Sequence, residues 1–460
     1  MMQQRYRPAR RLAGLGIALA MLIVGGVWQA QPAAAQSGEI DVTTTAPEIN
    51  TDGACSLAEA VENANTGAAL HTDCAPGGIS DTTIRLAAGE VYSFTTPHNN
   101  TLGNNALPVI TSEITLAGNG ATLTRATPAA DPMRFLYINI SGTLTLQNVT
   151  LTQSDPTIGG TVVLFADGGA IYNVGTLHIH DSTLHHNNAA NGGAIYAAPG
   201  STLTIDRTTL RDNQAIQNGG ALAAHGVTHL TQSALYANRA EGNGGGIYHA
   251  DGTLRVANST LSHNQAAGTP EDTDTGFGGA IANAGLGLEP LPAAQVEIIN
   301  SSLISNTASQ AGGALSNLQG ISGTAQITVE NTILAFNSAP QAGTEGCYSN
   351  PPFTIASRGH NLQSDNSCAF NATGDLVNTN PNIGPLADNG GPTWTHALLP
   401  SSPAIGKANA ATCLAPPINQ RDQRGVFRLS VVCDIGAFEF DAGKKFAPIL
   451  MVGPANEAEE

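Results

Sequence analysis

Asp181, Asp206, Arg207, Arg211 and Asp212 gather three carboxylates and two guanidinium groups into one stretch of a chain in which only 12% of residues are charged. Carboxylates can hold Ca²⁺ or act as acid and base at a glycosidic bond. Arginine can neutralise a uronate or take up a proton. The set could therefore cleave an acidic polysaccharide. Its bland alternative is a group of ion pairs on a solvated face. Histidines stand nearby: His178 and His180 alternate with Leu177 and Ile179, and His185 and His186 follow. Zn²⁺ would need partners at matching spacing, and no CxxC or HxxxH pair supplies them, so no metal is expected. Asp272 and Asp274 in TPEDTDTG lack the further acidic positions of a Ca²⁺ loop and read as an exposed acidic insertion.

What positions these residues is a repeat. GGAIY, GGAIY, GGALA, GGGIY, GGAIA and GGALS begin at Gly168, Gly192, Gly219, Gly244, Gly278 and Gly312, with spacings of 24 to 34 residues. Between them recurs [ST]-x-[LI]-x-x-N-x-A, which places Asn187, Asn213, Asn238, Asn264, Asn306 and Asn337 at one point of each unit. Alternating apolar segments such as LHIHD and LTIDR precede that phrase, the signature of short half-buried strands. A loop that cradles a phosphate occurs once per nucleotide. A recurrent glycine pair marks the corners of stacked units.

The expected fold is all-β, a right-handed parallel β-helix over 113–340, with the six asparagines stacked as a polar ladder. Asp181 and Arg207 hold equivalent places in adjacent coils and should pair one rung apart. Their column continues as Gln232, Asn258, Asn300 and Asn331, a repetitive polar row in place of a unique site. The expectation is accordingly a noncatalytic protein without cofactors, with the five charged residues as the catalytic alternative.

The flanks differ from the repeats. Residues 1–35 carry Arg5, Arg7, Arg10 and Arg11, an apolar run Leu12–Val27 and the triplet Ala33-Ala34-Ala35, the pattern of a secretory signal peptide. Residues 36–112 form an N-terminal cap, in which Ser56 and Glu59 make a capping box and Leu57, Ala60, Val61 and Ala64 share one face of a short helix. Residues 341–440 form an irregular terminal domain expected to cover the other end, and 441–460 a tail. The tail's apolar run, Lys444–Gly453, is too short to span a bilayer as a helix, so no transmembrane segment is expected in the mature chain. Six cysteines allow fifteen connectivities. Neighbours in sequence are the simplest: Cys55 with Cys74, Cys347 with Cys368, and Cys413 with Cys433. The net charge of −17 and only three lysines, Lys407, Lys444 and Lys445, speak against nucleic-acid and anionic-lipid partners.

CSLAEAVENAN (Cys55–Asn65) resembles the CSLREA motif of secreted bacterial proteins, with Ala58 at the usual Arg and Val61 at a usual Ile. GHNLQSDNSC (Gly359–Cys368), LADNGGPTWTHALLPSSPAIG (Leu386–Gly406), DQRG (Asp422–Gly425) and CDIGAFEF (Cys433–Phe440) resemble, in order, the choice-of-anchor Q domain. The repeats between them are similar to those of polymorphic outer-membrane proteins, which form right-handed β-helices. This resemblance implies export and cell-surface display or adhesion, and it implies no catalytic residues. The expected protein is secreted, extracellular or on the cell surface, and a monomer. Its expected partners are an extracellular polysaccharide or a surface protein; the alternative is a polysaccharide lyase or glycoside hydrolase on the same rod.

Overall fold

The computed structural model describes residues 38–126, 131–157, 165–269, 271–285, 294–318, 325–428 and 432–441. Residues 1–35, expected to be a signal peptide, and the expected tail from 442 onward lie outside them. The described chain is a parallel β-helix. One coil shows the plan: Ile195–Ala197, Thr202–Asp206, Thr209–Arg211 and Gln214–Ala215 are four short strands. Each pairs in parallel with its counterparts in the coils before and after, without a register slip. Among the described residues these pairings build a sheet of 19 strands, one of 8 and a ribbon of 5.

Alternation drives one side chain of every two inward, where equivalent positions stack. Leu184, Leu210, Leu235, Leu261, Leu303 and Leu334 form one such column, and Ile179, Ile205, Leu230, Val256, Ile298 and Val329 another; every member is 0% exposed. Each buried aliphatic side chain contributes roughly 1.5–3 kcal/mol relative to exposure. The columns make a single continuous core.

Both glycines of each pair have a steric reason. Gly192 and Gly219 sit at φ +63° and +71°, a left-handed corner that L side chains rarely adopt. At the second position a Cβ on Gly193 would lie 2.1 Å from the Gly220 carbonyl of the next coil. The two other corners are left-handed as well but carry side chains. Asp181, Arg207, Gln232, Asn258, Asn300 and Asn331 have φ between 45° and 51°, and His186, Asp212, Ala237, His263, Ser305 and Phe336 between 53° and 56°; Asp and Asn tolerate this backbone best.

At the front, the helix Leu57–Thr66 begins at Ser56, with both halves of the capping box formed, and ends at Gly67 in a left-handed cap. Its face Leu57, Ala60, Val61 and Ala64 is buried in the main core. All three disulfides join sequence neighbours: Cys55–Cys74, Cys347–Cys368 and Cys413–Cys433.

Two features depart from the sequence reading. The ladder outruns 113–340: Gly38–Asp41 already pairs with Asp81–Arg85, and Leu362–Gln363 still pairs with Ile333–Leu334. Backbone pairing needs no particular side chain, so coils persist where the motif has faded. The terminal domain also divides its work. Cys368 and Phe370 enter the main core and close the rear end. Residues 383–428 and 432–440 then turn back and lie along the side of the rod, where Ala397, Leu398, Ala404, Ile435 and Phe438 pack on Ile304, Ile333, Ala335 and Leu362.

Candidate functional site

The outer face of the rod changes character along its length. One outward column reads His180, Asp206, Thr231, Ala257, Ile299, Glu330 in register, and its neighbour His185, Arg211, Tyr236, Ser262, Ile304, Ala335. The second column turns from polar to apolar toward the rear; in the first, Ala257 and Ile299 are followed by Glu330, which accepts from Asn409 Nδ2 (3.0 Å) and the Thr412 hydroxyl (2.6 Å) of the flank domain. The flank domain covers the rear: Ile418 packs with Ala257 and Ile299, and His396 Nε2 lies 2.9 Å from Ser262 Oγ. Burial pushes the His396 imidazole down to about 4, helped by nearby His263 and opposed by the bond to the Gly384 carbonyl.

The corner row follows the same division. Asn258 donates through Nδ2 to the Arg421 carbonyl (2.8 Å) and accepts from Arg428 Nη2 (3.0 Å), and Asn331 Oδ1 accepts from the Asn409 backbone N–H (2.7 Å). With Asn300 Nδ2 lying 3.5 Å from Cys413 Sγ, Asn258, Asn300 and Asn331 are docking points for the flank domain and more than the repetitive polar row expected of them. The domain is itself braced by two buried ion pairs, Arg424–Asp422 at 2.7 Å and Arg428–Glu439 at 3.2 Å.

The five charged residues singled out from sequence stand together on the uncovered front. Arg207 donates from Nε and Nη2 to both oxygens of Asp181 (2.8 and 2.7 Å) and from Nη1 to Asp206, whose other oxygen accepts from the Thr231 hydroxyl (2.7 Å). Arg211 donates to Asp212 at 2.6 Å. The hydrogen bond from Arg207 holds the Asp181 carboxyl below its ordinary range, and burial pushes the His185 imidazole down to about 4, helped by Arg211. Asp181 is thus held ionised, whereas a general acid at neutral pH needs a carboxyl kept protonated. Among the described residues no group of three or more His, Cys, Asp or Glu side chains could hold a metal ion.

The six asparagines lie inside. Asn213 donates through Nδ2 to Asn238 Oδ1 (3.0 Å) and the Leu184 carbonyl (3.0 Å), while its Oδ1 accepts from Nδ2 (3.0 Å) and the backbone N–H (3.1 Å) of Asn187. The pattern repeats through Asn238, Asn264, Asn306 and Asn337, so each amide satisfies the corner of the adjacent coil. A second ladder escaped the sequence reading. The Ser233 hydroxyl donates to the Thr231 carbonyl (2.7 Å) and accepts from the Thr208 N–H (3.1 Å), and Ser182, Thr208, Ser259, Ser301 and Thr332 do likewise in their coils. The invariant hydroxyl at the start of the repeat phrase was the available signal.

Where the covered and open faces meet, a cavity of about 250 Å³ lies between Asp206, Thr231 and Asn258 of the rod and Ile418, Asn419 and Arg421 of the flank domain. Beside it the Trp394 ring lies flat on Tyr236, with centroids 5.5 Å apart and planes 1° from parallel. Neither Trp394 nor Arg421 was singled out from sequence, because each meets its rod partner across more than 150 residues of chain. No protein-family model and no curated protein matches this chain.

Proposed function

We propose that the chain is an exported, noncatalytic binding rod of the cell surface or extracellular space, presenting the open outer face of its front coils to a glycan or a surface protein. The observation that carries this reading is the pairing within the charged set. Asp181 and Asp206 are both engaged by Arg207, and Asp212 by Arg211, so no carboxylate of the group stands apart as an acid or base. Export is supported by the three disulfides, which belong to oxidising compartments, and by the leader-like pattern of residues 1–35. Among the described residues no helix is long and apolar enough to cross a membrane. The resemblance of Cys55–Asn65 to the CSLREA motif, and of 359–440 to the choice-of-anchor Q domain, fits surface display.

The test is a panel of immobilised polysaccharides, scored both for retention of the purified protein and for new reducing or unsaturated ends. Retention without new ends is expected. New ends that vanish in Asp206→Asn would replace this reading with the lyase or hydrolase.

A further inference from the structure

The step between the covered and the open faces has the composition of a saccharide site. Trp394 has one face on Tyr236 and keeps 45% of its surface exposed, although it is the largest apolar side chain of the flank domain. An exposed ring held rigid by stacking offers a flat surface to the C–H face of a sugar at little cost in side-chain entropy. Thr393, the residue before it, donates through its hydroxyl to the Gln232 carbonyl (2.9 Å), and Gln232 also lines the cavity. Platform and cavity thus flank the same contact.

Size and charge narrow the occupant. About 250 Å³ lies below the roughly 300–1,000 Å³ of sites for drug-sized ligands, room for a single ring. The lining mixes the Asp206 carboxylate, the Thr231 hydroxyl and Asn419 with the apolar Ala257, Pro417 and Ile418, as an amphipathic ring requires. In front of the platform, Arg211 pairs in register with Tyr236 and carries Asp212 beside it. The formal charges of this step balance: Asp181, Asp206 and Asp212 stand against Arg207, Arg211 and Arg421. On a chain of net charge −17 such a site gives a polyanion no advantage.

We propose that this step is a binding site for neutral oligosaccharide, with one sugar ring stacked on Trp394 and a second seated in the cavity against Asp206 and Thr231. This deepens the glycan-binding reading and rests on it.

The chain has two tryptophans, Trp28 and Trp394, so in a full-length Trp28→Phe background the intrinsic fluorescence reports on Trp394 alone. That protein is titrated with maltohexaose, cellohexaose, xylohexaose and chitohexaose, and with hexagalacturonate as the acidic counterpart. At least one neutral oligomer should change the emission saturably and bind at least tenfold tighter than hexagalacturonate. Trp394→Ala, checked for unchanged circular dichroism and followed by calorimetry, should weaken that binding at least tenfold, and Asp206→Asn at least threefold. If Trp394→Ala misfolds, Asp206→Asn alone carries the second test. Retention on the polysaccharide panel with silent Trp394 emission, or with affinity unchanged in both variants, overturns this site and leaves the binding-rod reading standing. Tighter binding of hexagalacturonate overturns the neutral assignment, and no response to any oligomer together with no retention overturns both.

Discussion

The front and rear coils of this rod share one interior and have opposite exteriors. Inside, Asn213 and Asn306 make the same bonds to their neighbours. Outside, Arg211 and Asp206 at the front are replaced by Ile304 and Ile299 at the equivalent rear positions. The difference teaches that a solenoid's inner and outer positions answer to separate constraints. Stacking of coils dictates the first and whatever covers the face dictates the second. Docking of residues 383–440 therefore belongs to the outer code alone.

The comparison breaks most sharply if a rear position is given front chemistry. Ile304 is 1% exposed and packs under the flank domain, so Ile304→Asp should cost about 4 kcal/mol by burying an unpaired charge. Limited proteolysis should then cut within 383–440 while the rod's β circular dichroism persists; loss of the whole fold at once would show that rod and flank are one cooperative unit.

Acid should attack the rear interface as well. His396 titrates near 4 in the folded protein against about 6.5 unfolded. Between those values the unfolded state binds more protons, so stability falls as pH drops through that window, by up to about 3 kcal/mol, and levels off below it. Fully buried His249, also pushed down to about 4, adds the same dependence to the rod. Urea unfolding at pH 7 and pH 4.5, with and without His396→Gln, measures the share of the interface: the variant should lose part of the pH slope.

The shared interior is tested by Asn213→Ala and Asn306→Ala. Asn213 and Asn306 are 1% and 0% exposed, so each change strands buried partners and should cost about 2 kcal/mol. Equal losses in denaturant support a single interior; a much milder effect at the front would mean that the ladder draws its strength from the flank domain.

The smallest effects lie in the corner row. Asp181 and Asn258 both have positive φ, 50° and 46°, so glycine suits either backbone. Asn258→Gly removes two bonds to the flank domain and should cost about 1.5 kcal/mol. Asp181→Gly loses only an exposed ion pair, with the carboxylate side chain 47% exposed, and should stay within about 0.5 kcal/mol, less in high salt. Equal costs in thermal unfolding would erase the distinction between the two halves of the row.

The sequence by itself determined the coil. Period-two alternation, the glycine pairs, the recurring Asn and the cysteine neighbours each depend on contacts between a residue and its own repeat one coil away, so regular spacing is enough to read them. It also placed Asp181 beside Arg207, since equivalent positions in adjacent coils must lie one strand step apart. The flank domain, the cavity and the Tyr236–Trp394 stack were settled only by the tertiary structure. They join positions such as Gln232 and Asp422 that follow no common period, and their energy comes from complementary surfaces. One trace of the docking was written in the chain, the drift from Arg211 through Ser262 to Ile304 and Ala335. Its meaning depends on register, because only when the coils are stacked do those residues become one column, and only a covered column can turn apolar without exposing it to water.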